Sequence, residues 1–159
     1  MIDVVNLQRK VKVELATYRT YINELVAAVP ETSDCTFSVA FIADSRMKQL
    51  NELFRGKNTS TDVLSFPWSE PPASAGGQLA DDDSTNWPPA HAGGSDFLGD
   101  IVISAEQAQK QAAENGLTLE NEIKQLILHG LLHLLGYDHE TDDGEMNALE
   151  LELREKLGI

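Results

Sequence analysis

One run of eleven residues constrains this chain more than any other: His129-Gly-Leu-Leu-His133-Leu-Leu-Gly136-Tyr-Asp-His139. It continues a stretch in which Ile123, Leu126, Ile127, Leu131, Leu134 and Leu135 recur at helical spacing. Such a segment must form a helix with an apolar face against a core. On that helix His129 and His133 lie about 40° apart around the axis and about 6 Å apart along it. Two imidazoles so placed can reach one cation. Gly136 breaks the helix, and the chain can turn back to bring His139 to the same point. Three neutral imidazoles leave the fourth position of a tetrahedral zinc open for water, as catalytic sites require. His129, His133 and His139 are therefore expected to hold one zinc ion per chain. A single His on an apolar helix is ordinarily a core residue; the combination carries the reading. Asp138 and Glu140 flank His139 and are candidates to orient ligands, or are solvent-facing turn residues. Position 130 is Gly where HExxH peptidases place their general base, which disfavours peptide hydrolysis.

The rest of the chain reads as short strands alternating with helices. Ile2 to Asn6 is a strand candidate. Val11, Leu15, Tyr18, Ile22, Leu25 and Val29 predict a helix from about residue 11 to 29, with Pro30 beyond its end. Cys35, Phe37, Val39 and Phe41 alternate as a half-buried strand does. Asp44 is placed to cap a helix that runs to about Phe54 and stops at Gly56. Val63 to Phe66, ended by Pro67, and Asp100 to Ile103 are two further short strands. Ser104 to Gln107 has capping-box spacing, and Asn115-Gly116 closes the helix it opens. Thr118 caps the histidine helix, with Glu120 and Glu122 in its first turn, where the helix dipole favours them. Met146, Leu149, Leu153 and Leu157 form the stripe of a last helix. The expected fold is an α+β domain: a mixed sheet of about four strands packed with several helices.

At 159 residues the chain suits one domain, 1–159, and its single Cys35 cannot form an internal disulfide. MIDVVNLQRK lacks the charged start and long apolar core of a secretory signal. The longest apolar stretch, near Leu126 to Leu135, is interrupted by two histidines and a glycine, so no membrane span is expected. These features predict a soluble, cytoplasmic protein. A net charge of −14 argues against a generic nucleic-acid coat protein. The charge is uneven: residues 1–57 carry eight basic against seven acidic side chains, and the remainder four against nineteen. A polyanionic partner would approach the N-terminal half, if the asymmetry is more than a solvated surface. Residues 69–95 hold Pro71-Pro72, Gly76-Gly77, three consecutive Asp and no Lys or Arg. They are expected to form a mobile insertion. His91, inside it, has no setting that suggests a ligand.

The 129–139 run resembles the signature of the YbeY family, bacterial endoribonucleases and rRNA maturation factors. Two other stretches match: Leu50-Asn-Glu-Leu-Phe-Arg-Gly-Lys57 followed by Thr61-Asp-Val-Leu-Ser-Phe-Pro67, and Leu98-Gly-Asp-Ile-Val-Ile-Ser104. The resemblance covers nearly all the chain outside residues 69–95, which depart from it. It implies a metal-dependent, single-strand-specific endoribonuclease in 16S rRNA 3′-end maturation and ribosome quality control. It implies a fold reminiscent of zinc metallopeptidases, with the zinc-site helix near the C-terminus. It maps the family's metal ligands onto His129, His133 and His139, and its functional arginine onto Arg55. The implied partners are single-stranded RNA, the 16S rRNA precursor, the small ribosomal subunit and its assembly factors, with no membrane or DNA. Arg55 also suits this chemistry on its own terms, since a permanently charged planar fork fits phosphate; the alternative is a structural ion pair. Lys57 is a second candidate for phosphate contact. Two rival readings are an assembly factor whose zinc is mainly structural, and a zinc hydrolase of another substrate.

Overall fold

The computed structural model of the protein describes residues 3–32, 35–67, 97–137 and 144–159. The expected insertion at 69–95, together with Asp138, His139 and Glu140, lies outside the described residues. Four strands form one mixed sheet: β1 (Asp3–Asn6), β2 (Thr36–Ile42), β3 (Val63–Pro67) and β4 (Phe97–Ser104), in the order β1-β2-β4-β3. The pairs β1–β2 and β2–β4 are parallel, and β3 runs antiparallel to β4. Five helices accompany them among the described residues: α1 (Leu15–Ala28), α2 (Asp44–Arg55), α3 (Ala105–Asn115), α4 (Leu119–Leu134) and α5 (Glu145–Leu157). The α+β class and the four-stranded mixed sheet expected from the sequence are those of the structure.

Side-chain alternation along the strands builds two cores. Phe37, Val39, Phe41, Ile101 and Ile103 point to the larger one, where they meet Tyr18, Tyr21, Ile22 and Leu25 of α1 and Ile123, Ile127 and Leu131 of α4. Ala40, Ile42 and Val102 point to the other face, where Met47 and Leu50 of α2 cover them together with Leu64. The sheet is thus covered on both sides. This corrects the half-buried reading of β2: Phe37 to Ile42 are all buried, because β2 is flanked by β1 and β4 and roofed by α2. The small Ser38 and Ala40 on the α2 side imitated an exposed face.

Two helix starts also differ from expectation. α1 begins at Leu15 rather than Val11. The Gln8 side chain donates to the Val11 carbonyl at 2.8 Å and accepts the Val11 N–H at 2.9 Å, engaging backbone groups that an earlier helix start would use. Asp44 does not cap α2; it is the first residue of the helix, after Ala43. Its backbone N–H donates to Glu106 Oε1 of α3 at 3.0 Å, so the capping carboxylate comes from another helix. The Asp44 carboxylate instead accepts from Ser104 Oγ at 3.1 Å, from Gln107 Nε2 at 3.3 Å and from Ser60 Oγ. The capping box at Ser104 is therefore half made. Ser104 Oγ accepts the Gln107 N–H at 3.2 Å, while the Gln107 side chain turns to Asp44. Thr118 caps α4 as expected, accepting the Asn121 N–H at 3.1 Å.

The antiparallel pairing of β3 with β4 forms one wall of the site, and Gly99 permits it. Gly99 has φ +142, and a Cβ there would lie 2.2 Å from the Phe66 carbonyl oxygen. Only glycine lets the two backbones meet in this register, which pairs Gly99 with Pro67. Pro67 is tolerated because β3 is an edge strand.

Candidate functional site

α4 lies across β3 and β4, and Gly130 sets how closely. A Cβ at 130 would stand 2.8 Å from Ile101 Cγ2, and Ser65 Oγ donates to the Gly130 carbonyl at 3.2 Å. A glutamate here would drive its side chain into β4. The packing thus gives a physical reason why this position cannot hold a peptidase-type base. Close approach at 130 brings the neighbouring His129 and His133 beside β3. They line a cleft of about 490 Å³ together with Arg55, Asp62, Ser65 and Tyr137.

Both imidazoles have defined roles at both nitrogens. His133 Nδ1 lies 3.0 Å from the Tyr137 carbonyl oxygen, which only accepts, so this nitrogen carries the proton. His129 Nδ1 lies 2.7 Å from Glu150 Oε1, and the same logic places its proton there. On neutral rings each Nε2 then carries a lone pair rather than a proton, and the two Nε2 atoms are 3.1 Å apart. Two lone pairs at that distance repel unless a positive centre, a proton or a metal ion, lies between them. Two nitrogen ligands of a tetrahedral zinc, each at about 2.0–2.1 Å, stand about 3.3 Å apart. The donors therefore fit a zinc-like cation. Among the described residues no group of three or more His, Cys, Asp or Glu gathers to hold a metal. His139, the third expected ligand, lies outside them.

Glu150 was not foreseen from the sequence. It is buried on α5, where Oε1 holds His129 and Oε2 accepts from Arg154 one turn on. Burial alone would raise its pKa. The hydrogen bond and charge of His129, with those of Arg154, outweigh burial and hold the carboxyl below its ordinary range. Glu150 thus stays ionised and fixes the His129 tautomer, which leaves the lone pair on Nε2. The signal for it was present: Glu150 falls four residues after Met146 and three before Leu153, both buried. A carboxylate on an apolar helical stripe requires a buried partner. Ser65, whose Oγ donates to the Gly130 carbonyl, and Tyr137, whose backbone carbonyl holds His133, were likewise not singled out from the sequence.

Arg55 ends α2 and lines the same cleft. It makes no ion pair or hydrogen bond with another described residue, which removes the structural ion-pair alternative among those residues. Lys57 is exposed just beyond α2 and does not line the cleft. The structure therefore brings together Arg55, His129 and His133, and leaves Lys57 apart. No described helix is long and apolar enough to cross a membrane.

A family model described as Endoribonuclease YbeY matches residues 3–158. A protein named Endoribonuclease YbeY from Thermodesulfovibrio yellowstonii is 34% identical, over 93% of this chain and 89% of the relative. One of the same name from Nautilia profundicola is 40% identical, over 89% and 86%. Another from Leptospira interrogans is 42% identical, over 80% and 88%. The solution structure of a Thermotoga maritima protein, TM1509, shares the fold with a TM-score of 0.62 at 25% identity, covering 99% of this chain and 89% of that one. With its histidine helix packed on β3 and β4 and a family match over nearly its whole length, the chain belongs to the endoribonuclease YbeY family.

Proposed function

We propose that the protein is a metal-dependent endoribonuclease that cuts single-stranded RNA at the cleft between Arg55 and the paired histidines. One observation carries the reading. Two imidazoles face each other through Nε2 at 3.1 Å, each held at Nδ1 by an acceptor, in the cleft that Arg55 also lines. His129 and His133 would hold one zinc ion, with His139 as the proposed third ligand. Bound there, zinc would supply Lewis-acid polarisation of a phosphoryl oxygen and a water acidified to a pKa of about 7.

The chain's own residues supply the remainder. Glu150 and the Tyr137 carbonyl orient the two rings before any substrate arrives. Arg55 supplies a permanently positive fork where negative charge grows on the phosphoryl oxygens during cleavage. Lys57, outside the cleft wall, would contact a flanking phosphate. The family name supports RNA as the substrate. The finer role proposed is 16S rRNA 3′-end maturation and ribosome quality control in the cytoplasm, alongside the small subunit and its assembly factors.

The test compares zinc-replete protein with His133→Ala, both shown folded by circular dichroism, on single-stranded and duplex RNA. Cutting of the single strand by the first protein alone supports the reading. Binding to small subunits with no cutting would overturn it in favour of an assembly factor whose metal is structural.

A further inference from the structure

A second cleft, of about 620 Å³, lies along the same helix and shares Asp62, Val63 and His129 with the first. Its other walls come from α3, the first half of α4, and α5. The two clefts adjoin along α4 as one groove, joined at His129, while His133 lines the first cleft alone. Glu122, at the far end, precedes His129 by seven residues, about 10 Å along the helix axis.

The two ends of the groove differ in chemistry. At the first, Arg55 offers positive charge to a phosphate. At the second, the walls present the side-chain amides of Gln111, Asn115 and Gln125 and the carboxylates of Asp62 and Glu122. The charge of Arg154, also in this wall, is matched by its ion pair with Glu150. Glu122 is 4% exposed and accepts from Asn115 Nδ2 at 3.4 Å, so its carboxylate is held in place. Two carboxylates repel phosphate and can only accept hydrogen bonds, whereas the amides both donate and accept. A neutral, flat ligand edged with N–H and C=O groups matches this lining, and a nucleobase is such a ligand. Single-stranded RNA exposes its bases for this kind of reading. Cytosine, adenine and guanine carry an exocyclic amine that a carboxylate can accept from; uracil has carbonyl oxygens there, which a carboxylate repels.

We propose that the second cleft is a base subsite that selects an amino-bearing nucleobase next to the scissile phosphate, with Asp62 and Glu122 as specificity-determining acceptors. This rests on the ribonuclease reading above and adds to it a preference for sequence.

The test is equilibrium binding, by fluorescence anisotropy at fixed salt, of short uridine oligomers carrying one cytidine at successive positions. Cytosine and uracil match in size and differ in donor pattern, so the comparison isolates the proposed contact. At one position cytidine should tighten binding about tenfold. In the Asp62→Asn/Glu122→Gln variant that preference, taken as the ratio to the same variant's all-uridine affinity, should fall below about threefold. If the double variant does not fold, Asp62→Asn alone, in the segment entering β3, carries the test and should lower the preference in the same direction. Equal binding at every position by the unaltered protein, or full preference in the folded variants, would overturn the subsite. Binding and cutting without any base preference overturns the subsite alone; failure to bind any oligomer overturns the ribonuclease reading and the subsite with it.

Discussion

At the scale of single residues, the site depends on pairs in which one member holds the other. His129 holds no fixed tautomer without Glu150, and Glu150 stays ionised through His129 and Arg154. Glu150→Gln keeps the shape and removes the charge. Zinc affinity, measured by competition with a chromogenic chelator, should fall about 10- to 100-fold, and the melting temperature should also drop because Arg154 loses its ion pair. His129→Ala and His133→Ala should each lose most of the single expected zinc. Retention of stoichiometric zinc by the His129→Ala/His133→Ala double variant would refute the assignment. Arg55 has a separate role. Arg55→Lys preserves charge and loses the fork. Its cleavage rate should drop on the order of a hundredfold, about 3 kcal/mol of transition-state stabilisation, with zinc content intact. An Arg55→Lys protein that has lost zinc or unfolded would mark Arg55 as structural instead.

At the scale of elements, the site exists because α4 and β3 both press against β4. Gly130 allows the first contact and Gly99 the second. Gly99→Ala would place a methyl 2.2 Å from a backbone oxygen that cannot rotate away, at a φ of +142 that alanine rarely adopts. The strands must separate or shift register. The expected cost is about 2–4 kcal/mol, in the range of strained and overpacked substitutions. Urea unfolding of Gly99→Ala checks this, and an unchanged midpoint would show that β3 is free to move. Because β3 carries Ser65 and follows Asp62, the same variant should also lose RNA cleavage under conditions where it is still folded.

At the scale of the whole molecule, charge and buried phenols set how the protein responds to its solution. The chain carries −14, yet Arg55 lines the cleft proposed to take phosphate, and Lys57 is exposed just beyond the end of α2. With about two cations displacing counterions from a single strand, log affinity should fall with log salt at a slope of about −1 to −2. A much steeper slope would require a basic surface elsewhere. Tyr18 packs on Phe41 in the main core. Burial, and then the charge of Glu120, push its hydroxyl up to about 12; burial also raises Tyr21. A raised folded-state value means that unfolding releases protons once the pH exceeds the unfolded tyrosine value near 10. The stabilisation is complete below pH 10 and is lost as the pH rises through about 12 for Tyr18. Urea midpoints measured from pH 9 upward should decline across that window, and Tyr18→Phe should flatten part of the decline.

Local order determined much of this protein. The spacing of apolar residues gave α4 and its two histidines on one face, because a helix period is written in the positions themselves. Thr118 and Ser104 marked helix starts through hydrogen bonds that span three residues. The end of α2 put Arg55 at a helix terminus. Tertiary structure decided what depends on partners far along the chain. Asp44 gave up its expected cap because Glu106, on another helix, takes the N–H, and three hydroxyl and amide groups claim the carboxylate. β2 is buried on both faces because α2 folds over residues whose small size imitated exposure. Glu150 meets His129 across twenty-one positions, and Ser65 meets Gly130 across sixty-five. No local pattern encodes such pairings; they form only when the packing of α4 on β3 and β4, and of α5 beside it, brings those groups together and excludes the water that would otherwise satisfy them.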